Sequence, residues 1–512
     1  RVARYSKDLS QLKSIFMTKN IEKYLHQEYD NEAGRQHATK RTKIVATVGP
    51  SCNSYEKLLE LVKAGVNVFR LNFSHGKHEE KATIIEFIQQ INKSQPYNIS
   101  ILADLQGPKL RVGELADGSI ELIKGESFLF TNEKIVGTKD RIFVSYDNLH
   151  NDVKKGEKIL IDDGKIEVEV VDILPSHDVR VKVLLGGTLL PKKGVNLPDT
   201  NISLPALTPK DIEDLSFIFQ HQVDWIALSF VRTPDCIKQL KDIIAKHKHT
   251  AKVIAKIEMP KAIKNLREII LESDGIMIAR GDLGVELPIE EVPLIQKDII
   301  KKCIHRAKPV IVATQMMESM IDRVKPNRSE ITDVANAVLE GADALMLSGE
   351  TAVGNHPTLV IETMTRIILE VEAKAYYYNR DEMLRPQAHS PSLLSDAICY
   401  NACKLAEDVN AEAIIGMKQS GYTGFMLSSY RPKAPVYVFT KKRELVNQLS
   451  LSWGVRAFFY DEEESLDEIF QDQIDILKLR HFLKKGDVVV STGSTPVQLH
   501  LPTNVLKIAT VE

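Results

Sequence analysis

Short runs of apolar residues recur along the chain, and each ends on polar residues or glycine before a stretch with helical spacing. They are KIVATVGP (43–50), VNVFRLNFS (66–74), SILADLQG (100–107), DWIALSF (224–230), VIAKIE (253–258), GIMIARGD (275–282), PVIVATQ (309–315) and ALMLSGE (344–350). Continuous β-branched runs of this length are typical of strands buried on both faces, as in parallel sheets. Stretches such as 55–64 and 290–307 carry apolar residues at i, i+3 and i+4, which predicts helices. Eight such units favour an α/β fold, a closed (β/α)8 TIM barrel, over an open doubly wound sheet.

A long stretch between the third and fourth strands breaks this rhythm. It consists of short alternating segments, and the hairpin signal Asp163-Gly164 lies between two of them. We expect an inserted small β-barrel domain there, on the side of the barrel where active sites form. Further strand candidates after residue 385 indicate a second α/β unit. The predicted domains are an N-terminal helical segment (1–40), a catalytic barrel (41–107 and 195–385), an inserted β lid (108–194) and a C-terminal α/β regulatory domain (386–512).

Composition and charge narrow the classes of function. A chain of 512 residues usually holds about two to four domains. The net charge of -2 gives no indication of a nucleic-acid or membrane-surface partner, and no apolar run approaches the ~18 residues of a membrane span. Five cysteines without a CxxC pair fit a reducing, cytoplasmic location. The chain starts at Arg1 rather than Met, which leaves open whether a targeting segment has been removed.

Polar side chains collect where the predicted barrel strands end. They are Arg70, Asn72, Ser74, Asp104, Lys256, Glu258, Arg280, Asp282, Thr314 and Glu350. A single one of them would be explained as a solvated loop residue. The carboxyl ends of barrel strands meet at one mouth, where barrel enzymes have their active sites. Ten polar residues at these ends therefore predict an active site.

The residue types indicate metal-assisted phosphoryl transfer. Lys256 and Glu258 point the same way because strand side chains alternate with period two. Glu258 and Asp282 offer oxygen ligands, which favours Mg²⁺ or Mn²⁺ over zinc. Lys256, Arg70 and the metal could together neutralise the charge on a transferring phosphoryl group. The glycines of RGDLG (280–284) are expected to precede a helix whose N–H groups could hold a carboxylate. Lys256 could instead be the Schiff-base lysine of an aldolase, although two neighbouring carboxylates disfavour that.

Motifs that run in order from about residue 40 to the C-terminus resemble those of pyruvate kinases. They are VATVGPS (45–51), RLNFSHG (70–76), KGVNLP (193–198), AKIEMPKAI (255–263), IARGDLGVELP (278–288), ATQMMESM (313–320), PNRSEITDVANAV (326–338) and LSGETAVG (347–354). The resemblance implies transfer of the phosphoryl group of phosphoenolpyruvate to ADP, giving pyruvate and ATP in the last step of glycolysis, and a homotetramer. An inactive regulatory or RNA-binding protein on this fold is the alternative of another class, which the intact set Lys256, Glu258, Asp282 and Thr314 disfavours.

The resemblance also implies roles for individual residues. Catalysis falls to Lys256, Arg70, Thr314 and Ser348. The substrate contacts are Arg70, Lys256, Gly281, Asp282 and Thr314, and the Mg²⁺ ligands are Glu258 and Asp282. Nucleotide binding maps to Pro50, Asn72, Phe73, Ser74, His75, Arg111 and Lys193. Because Lys193 ends the inserted domain, lid closure would bring it to the nucleotide phosphates.

Two segments depart from the common family pattern. In DLQGPKLRV (104–112), Lys109 stands where potassium-requiring members carry a glutamate. The ligands of a monovalent-cation site are nevertheless present, namely Asn72, Ser74, Asp104 and the carbonyl of Leu105. We predict that K⁺ is not required, because the Lys109 ammonium can supply the same charge.

The second departure is in the C-terminal domain, where a phosphate-binding loop is expected. KQSGYTG (418–424) keeps a nest of hydroxyl and backbone N–H groups. The candidate residues for a sugar-phosphate effector are Lys418, Ser420, Gly421 and Thr423. The segment 491–504 lacks the loop of forms activated by fructose 1,6-bisphosphate, so the identity of the effector stays open.

Overall fold

The computed structural model describes residues 40–95, 97–374, 386, 392–417, 421–462, 464–499 and 501–512. The predicted N-terminal helical segment, apart from residue 40, lies outside these residues. The described strands are β1 (Lys43–Thr47), β2 (Val68–Asn72), β3 (Ser100–Asp104), β4 (Leu110–Arg111), β5 (Ile120–Leu122), β6 (Ser127–Thr131), β7 (Arg141–Phe143), β8 (Lys158–Ile161), β9 (Ile166–Ile173), β10 (Val179–Leu185), β11 (Gly187–Leu189), β12 (Gly194–Asn196), β13 (Trp225–Leu228), β14 (Lys252–Ile257), β15 (Gly275–Ala279), β16 (Val310–Ala313), β17 (Ala344–Leu347), β18 (Ala413–Met417), β19 (Val436–Thr440), β20 (Val455–Phe459), β21 (Val488–Gly493) and β22 (Val505–Thr510).

Helices alternate with these strands in the barrel and in the C-terminal part. The described α-helices are α1 (Tyr55–Ala64), α2 (His78–Ser94), α3 (Leu149–Asp152), α4 (Pro209–Ile218), α5 (Pro234–Lys246), α6 (Pro260–Lys264), α7 (Leu266–Glu272), α8 (Arg280–Glu286), α9 (Val292–His305), α10 (Arg328–Glu340), α11 (Gly349–Ala352), α12 (Pro357–Lys374), α13 (Leu393–Asp408), α14 (Tyr422–Ser429), α15 (Arg443–Gln448) and α16 (Leu466–Leu479). Short 3₁₀ turns cover Ile289–Glu291, Glu318–Ile321, Leu449–Leu451 and Val497–Leu499. None of the described helices is long and apolar enough to cross a membrane.

Local sequence explains several helix ends. The Ser54 hydroxyl accepts a hydrogen bond from the Lys57 N–H at the start of α1, and Gly65, with φ of 134°, follows its end. Asn327 and Glu330 form a capping box at the start of α10. Caps of this kind satisfy backbone groups that a helix end leaves without intrahelical partners. For α1, these caps bound the helix at Tyr55–Ala64, the range in which the apolar spacing predicts a helix.

Eight parallel strands close into a barrel in the order β1-β17-β16-β15-β14-β13-β3-β2, which confirms the predicted fold. Its interior cluster includes Val45, Val68 and Trp225, and Leu451 from the C-terminal unit packs against the same cluster. Phe425 lies edge-on to Trp225 with the ring centroids 6.4 Å apart. Since Trp225 begins β13, the C-terminal unit covers the amino end of the barrel. The carboxyl end is therefore where polar side chains can meet.

The insertion between β3 and β13 has an apolar core of its own. Its main sheet has the order β4-β12-β8-β9-β10-β6-β7, with β5 and β11 as a separate pair. An antiparallel bridge joins Val112 to Val144, the residues that directly follow the two edge strands β4 and β7. The Gly113 N–H donates to Phe143 O at 2.9 Å, and the Ser145 N–H to Arg111 O at 2.9 Å. The sheet therefore curls back on itself as a small barrel.

The C-terminal unit is an α/β sheet of five strands in the order β20-β19-β18-β21-β22, of which β22 is antiparallel. A buried ion pair joins it to the barrel, with Arg431 Nη2 located 3.0 Å from Asp343 Oδ2. The other oxygen of Asp343 accepts from the Trp453 N–H at 3.1 Å. Asp343 directly precedes β17, so this contact lies at the end of the barrel opposite the polar mouth.

Candidate active site

Strand β14 places a buried lysine at the centre of the mouth. Lys256 Nζ lies 2.9 Å from Glu258 Oε1 and 3.2 Å from Asp104 Oδ1. It also donates to Ser229 Oγ at 2.7 Å, and that hydroxyl donates to the carbonyl of Leu105 at 2.8 Å. The three strand ends β3, β13 and β14 thus converge on one ammonium group.

Arg70 holds the second positive charge of the cluster. Its Nε donates to Asp104 Oδ2 at 2.6 Å and its Nη1 to Thr47 Oγ1 at 3.0 Å. The Thr47 hydroxyl in turn donates to the carbonyl of Leu347 at 2.8 Å. These contacts orient the guanidinium at the mouth, next to the carboxylate that it shares with Lys256.

Burial and charge pull the pKa values of this cluster in different directions. Burial lowers the pKa of Lys256, but Asp104 and Glu258 outweigh it, so the pKa lies above its usual value. Burial raises the pKa of Asp104, and the nearby Lys256 and Arg70 outweigh this and lower it. Burial and the charge of Asp282 raise the pKa of Glu258, although Lys256 opposes the rise. Lys256 and Asp104 therefore stay charged, while Glu258 is in an electrostatically crowded position.

The RGDLG segment differs from the prediction in one respect. Its glycines do not precede a helix, because α8 begins at Arg280 and contains them. The Gly281 N–H, in the first turn, donates to Thr314 Oγ1 at 2.7 Å. Thr314 has a φ of 70°, a region that costs a β-branched residue ~1–3 kcal/mol and is most often found at functional sites. The helix and the end of β16 are thus held together at the mouth.

Two carboxylates at adjacent strand ends fit a divalent cation. Asp282 follows β15 and is part-exposed, whereas Glu258 follows β14 and is buried. A bound cation would offset both causes of the raised pKa of Glu258, which are burial and, to a smaller extent, repulsion from Asp282. Within the described part of the chain, no group of three or more Asp, Glu, His or Cys residues could hold a metal. Mg²⁺ commonly binds through one or two carboxylates with water and substrate oxygens as the other ligands.

The inserted domain reaches this site through the connection that precedes β4. Lys109 Nζ lies 3.5 Å from Asp282 Oδ1. Lys193 Nζ lies 2.9 Å from Asp162 Oδ1, within the insertion itself. Arg111 Nη1 donates to the carbonyl of Lys192 at 2.9 Å, so Arg111 and Lys193 are close together on one side of the insertion. Both remain part-exposed and able to contact a ligand.

Comparison with known proteins assigns the chain to a family. The family model described as "Pyruvate kinase, barrel domain" matches residues 39–361, and "Pyruvate kinase, alpha/beta domain" matches residues 396–509. The chain belongs to the pyruvate kinase family. "Pyruvate kinase 2" of Synechocystis is 41% identical over 477 residues, covering 92% of this chain and 80% of that protein. A "Pyruvate kinase" of Mycobacterium tuberculosis is 41% identical over 460 residues, covering 90% of this chain and 96% of that protein.

A solved structure of a pyruvate kinase from Cryptosporidium parvum has the same fold. It superimposes with a TM-score of 0.88 at 34% sequence identity, and the match covers 93% of this chain and 97% of that chain. The barrel, the insertion and the C-terminal unit are therefore all part of the family's architecture.

The segment after β2, which resembles the nucleotide site of pyruvate kinases, forms a turn. Asn72 Oδ1 accepts from the Ser74 N–H at 3.0 Å. Phe73 is buried, with Lys81 Nζ 5.0 Å from the centre of its ring, whereas His75 is exposed. Pro50 is exposed in the loop that follows β1. The Phe73 N–H donates to the carbonyl of Asp104 at 2.9 Å, which ties this turn to the mouth.

The residues at the end of β17 complete the mouth. Ser348 directly precedes α11, and its N–H donates to Glu350 Oε2 at 2.7 Å. The other oxygen of Glu350 accepts from the Met317 N–H at 3.2 Å. Glu350 is buried, and burial raises its pKa. It orients the backbone at the ends of β16 and β17 rather than facing the mouth.

Two site residues were missed by reasoning from the sequence. Ser229 had no signal, because a serine at the end of a strand is common in any barrel. Glu286 lies in the motif IARGDLGVELP (278–288), from which only Gly281 and Asp282 were assigned roles at the site. It is buried and accepts a hydrogen bond from Asn196 Nδ2 at 2.7 Å. The contact could not be foreseen from the sequence, because it depends on how the inserted domain packs against the barrel.

The candidate effector residues are only partly described. Lys418 and Ser420 lie outside the described residues. Gly421, with φ of 76°, immediately precedes α14. Thr423 is buried, and its hydroxyl lies 2.8 Å from Thr503 Oγ1. The Thr423 hydroxyl is thus engaged inside the domain.

Proposed function

We propose that this chain transfers the phosphoryl group of phosphoenolpyruvate to ADP, giving pyruvate and ATP as in the last step of glycolysis. The observation that carries the proposal is the ammonium of Lys256, held charged between Asp104 and Glu258 beside Arg70. Two positive charges fixed at one point of a barrel mouth can stabilise the charge that spreads over a phosphoryl group in transfer. Membership of the pyruvate kinase family supports the same reaction.

Glu258 and Asp282 would hold Mg²⁺ or Mn²⁺. When bound, this ion supplies positive charge to the phosphoryl and substrate oxygens. Lys256 and Arg70 contact the phosphoryl group and keep it in line between donor and acceptor. Gly281, Asp282 and Thr314 contact the remainder of phosphoenolpyruvate. Because the Thr314 hydroxyl interacts with both Gly281 and Ala313, its position is defined before substrate binds.

The product enolate has to be protonated to give pyruvate. We assign this proton to a relay of water with the hydroxyl groups of Thr314 and Ser348, which end neighbouring strands. A charged Lys256 is a poor general base and a poor nucleophile. The raised pKa of Lys256 therefore disfavours the aldolase alternative, which needs a neutral amine at this position.

ADP would bind between the turn after β2 and the inserted domain. Pro50, Asn72, Phe73, Ser74 and His75 line the barrel side. Arg111 and Lys193 would reach the phosphates from the insertion when residues 108–194 close as a lid. The parts 41–107 with 195–385, 108–194 and 386–512 are the catalytic, lid and regulatory domains of this proposal.

Lys109 replaces the monovalent cation in this proposal. Its ammonium lies beside Asp282, so a fixed positive charge is already present at the mouth. Three of the four potential ligands already have partners. Asn72 Oδ1 accepts from the Ser74 N–H, and the carbonyl of Leu105 accepts from Ser229. Asp104 pairs with Arg70 and Lys256. K⁺ would then not be required for turnover.

Assembly, location and regulation are proposed from the family alone. We propose a homotetramer, a cytoplasmic location and a sugar-phosphate effector near 418–424.

The deciding experiment is an assay of pyruvate formation with phosphoenolpyruvate, ADP and Mg²⁺. Turnover that disappears with EDTA and returns with Mg²⁺ or Mn²⁺ is expected. The assay is repeated with a panel of sugar phosphates as possible activators. If no turnover is seen with either metal under any of these conditions, an inactive regulatory protein is favoured. Trapping of a carbonyl substrate on Lys256 by borohydride would favour the aldolase instead.

A further inference from the structure

Both connections of the inserted domain contact the same short helix, α8. Lys109, which precedes β4, lies 3.5 Å from Asp282 in a part-exposed pair. Asn196, the last residue of β12, donates from Nδ2 to Glu286 Oε1 at 2.7 Å. Asn196 and Glu286 are only 9% and 6% exposed, so solvent competes little for this second contact. The buried hydrogen bond between Asn196 and Glu286 therefore fixes the position of α8 more strongly than the part-exposed ion pair does.

Asp282 and Glu286 are four residues apart in α8, so their side chains lie on one face of the helix. Glu286 has a second carboxyl oxygen, Oε2, that is buried without a hydrogen-bond partner among the described residues. Such groups are rare and call for an explanation. Burial, followed by the charges of Asp282 and Glu258, raises the pKa of Glu286 to about 7, which supports its place next to these carboxylates.

The two connections of the inserted domain are paired to each other through β4 and β12. Leu110 of β4 is opposite Val195 of β12. Gly107 begins the first connection with φ of 68°, and a Cβ there would lie 2.9 Å from Ser229 Cβ. Its N–H donates to Asp211 Oδ1 at 3.1 Å, which anchors the start of the connection to the barrel. A rotation of the insertion about this point would carry Asn196 with it and pull on Glu286.

We propose that Glu286 is a positioning residue that links the position of the inserted domain to the metal ligand Asp282. The bond from Asn196 holds α8 in the orientation that directs Asp282 towards Glu258. Nucleotide bound to the insertion and cation bound at the barrel therefore influence each other, and the coupling is reciprocal. The inference rests on the proposed function for the nucleotide and metal assignments.

Four variants separate this role from its alternatives. Asn196→Ala and Glu286→Ala remove the hydrogen bond. Glu286→Gln removes the charge and keeps an amide oxygen that can accept from Asn196. Asn201→Ala is the matched control, because Asn201 follows the insertion and contacts Lys261 on the exposed surface.

Two binding measurements that do not involve turnover are made on the full chain. The first is the Mn²⁺ dissociation constant without nucleotide, followed by the electron paramagnetic resonance signal of free Mn²⁺. The second is hydrogen exchange of amides 280–286, with and without ADP in metal-free buffer. Asn196→Ala and Glu286→Ala should weaken Mn²⁺ binding on the order of tenfold, as is typical of coupled sites. ADP should slow exchange of 280–286 in the parent, in Glu286→Gln and in Asn201→Ala, but not in the two alanine variants that break the bond.

Glu286→Gln should bind Mn²⁺ within about threefold of the parent. The double variant Asn196→Ala/Glu286→Ala should be no weaker than either single variant, because both remove one interaction. Parent-like Mn²⁺ binding by Asn196→Ala together with weak binding by Glu286→Gln would overturn the proposal, since Glu286 would then act through its charge. Two results on the parent chain would also overturn the proposal. One is the absence of Mn²⁺ binding, and the other is hydrogen exchange of amides 280–286 that is the same with and without ADP.

Turnover is measured separately on the parent chain. If the parent does not convert phosphoenolpyruvate and ADP, the proposed function fails while the Mn²⁺ and exchange measurements still decide the role of Glu286. If Glu286→Ala does not fold, Asn196→Ala carries the test alone.

Discussion

The Lys256 ammonium lies 2.9 Å from Glu258 Oε1, and both side chains are buried at the carboxyl end of β14. The residue between them, Ile257, points into the apolar layer outside the strands. Alternation along one strand thus places a cation and a candidate metal ligand side by side. Asp104 on β3 shares the same ammonium, so the cluster joins β14 to β3 across the intervening strand β13.

Replacing Lys256 should abolish most of the activity. Lys256→Met is expected to reduce turnover about 10³-fold, ~4 kcal/mol of transition-state stabilisation, because the fixed charge on the phosphoryl group is lost. The circular dichroism spectrum should show that the variant folds. Lys264→Met, at an exposed position of α6, is the control and should keep parental turnover. A purified Lys256→Met protein with near-parental turnover would refute the assignment.

The two carboxylates should control the metal requirement. Glu258→Gln and Asp282→Asn are each expected to raise the Mg²⁺ concentration needed for half-maximal activity by at least about tenfold, because oxygen charge is lost from the ion's ligands. ADP binding in metal-free buffer, measured by calorimetry, should change far less. Glu268→Gln, on the exposed side of α7, is the matched control. Unchanged Mg²⁺ dependence would remove that residue from the metal site.

Residues 108–194 should move as a unit when both substrates bind. In the structure Lys193 is held by Asp162 at 2.9 Å, so nucleotide phosphates have to compete with this carboxylate. Hydrogen exchange around Lys193 should slow when phosphoenolpyruvate and ADP are added together, and less with either alone. The exposed segment around Lys139 serves as an internal reference. Equal exchange in the free and bound protein would count against a lid.

Activity should not depend on K⁺. Turnover is expected to be similar in sodium, potassium and tetramethylammonium buffers of equal ionic strength, because Lys109 already supplies a cation. A further ion at ~4 Å from it would cost about 4 kcal/mol at an effective dielectric of 20. Lys109→Glu should create a K⁺ requirement, whereas Lys139→Glu, an exposed lysine of the insertion, should not. Collapse of the parental rate when K⁺ is withdrawn would defeat this prediction.

Asp224 should make stability depend on pH. It is 2% exposed, and burial raises its pKa to about 7 with a smaller contribution from Glu444. A folded pKa above the unfolded value of about 4 means that the folded state binds the proton more tightly. The destabilisation is therefore absent below about pH 4, grows between about pH 4 and 7, and reaches on the order of 4 kcal/mol above that range.

Asp224→Asn should remove most of this slope while keeping an acceptor for the Ile101 N–H, which Asp224 Oδ2 binds at 2.8 Å. Urea unfolding at pH 5.5 and pH 8 measures the difference. The variant should gain stability relative to the parent at pH 8 and gain less at pH 5.5. Asp235→Asn, at an 82% exposed aspartate, is the control. Parallel pH profiles for parent and Asp224→Asn would show that Asp224 does not titrate in this range.

The sequence by itself determined the barrel and most of its mouth. Eight apolar runs of strand length, each followed by helical spacing, leave few topologies other than a closed parallel barrel, because short right-handed connections restrict the alternatives. Lys256 and Glu258 could be paired from the sequence since period two is a property of a single strand. Glu258 and Asp282 could be placed together because adjacent strand ends share one edge.

Only the tertiary structure decided how the parts depend on one another. Asn196 and Glu286, Lys193 and Asp162, and Arg431 and Asp343 meet across long stretches of chain. Nothing periodic in the sequence marks such pairs, since each contact is set by how folded units pack. The RGDLG segment was misjudged for a related reason, because a helix as short as Arg280–Glu286 is too brief for apolar spacing to define its start. Burial, likewise a product of packing, is what raises the pKa of Asp224 and of Glu286.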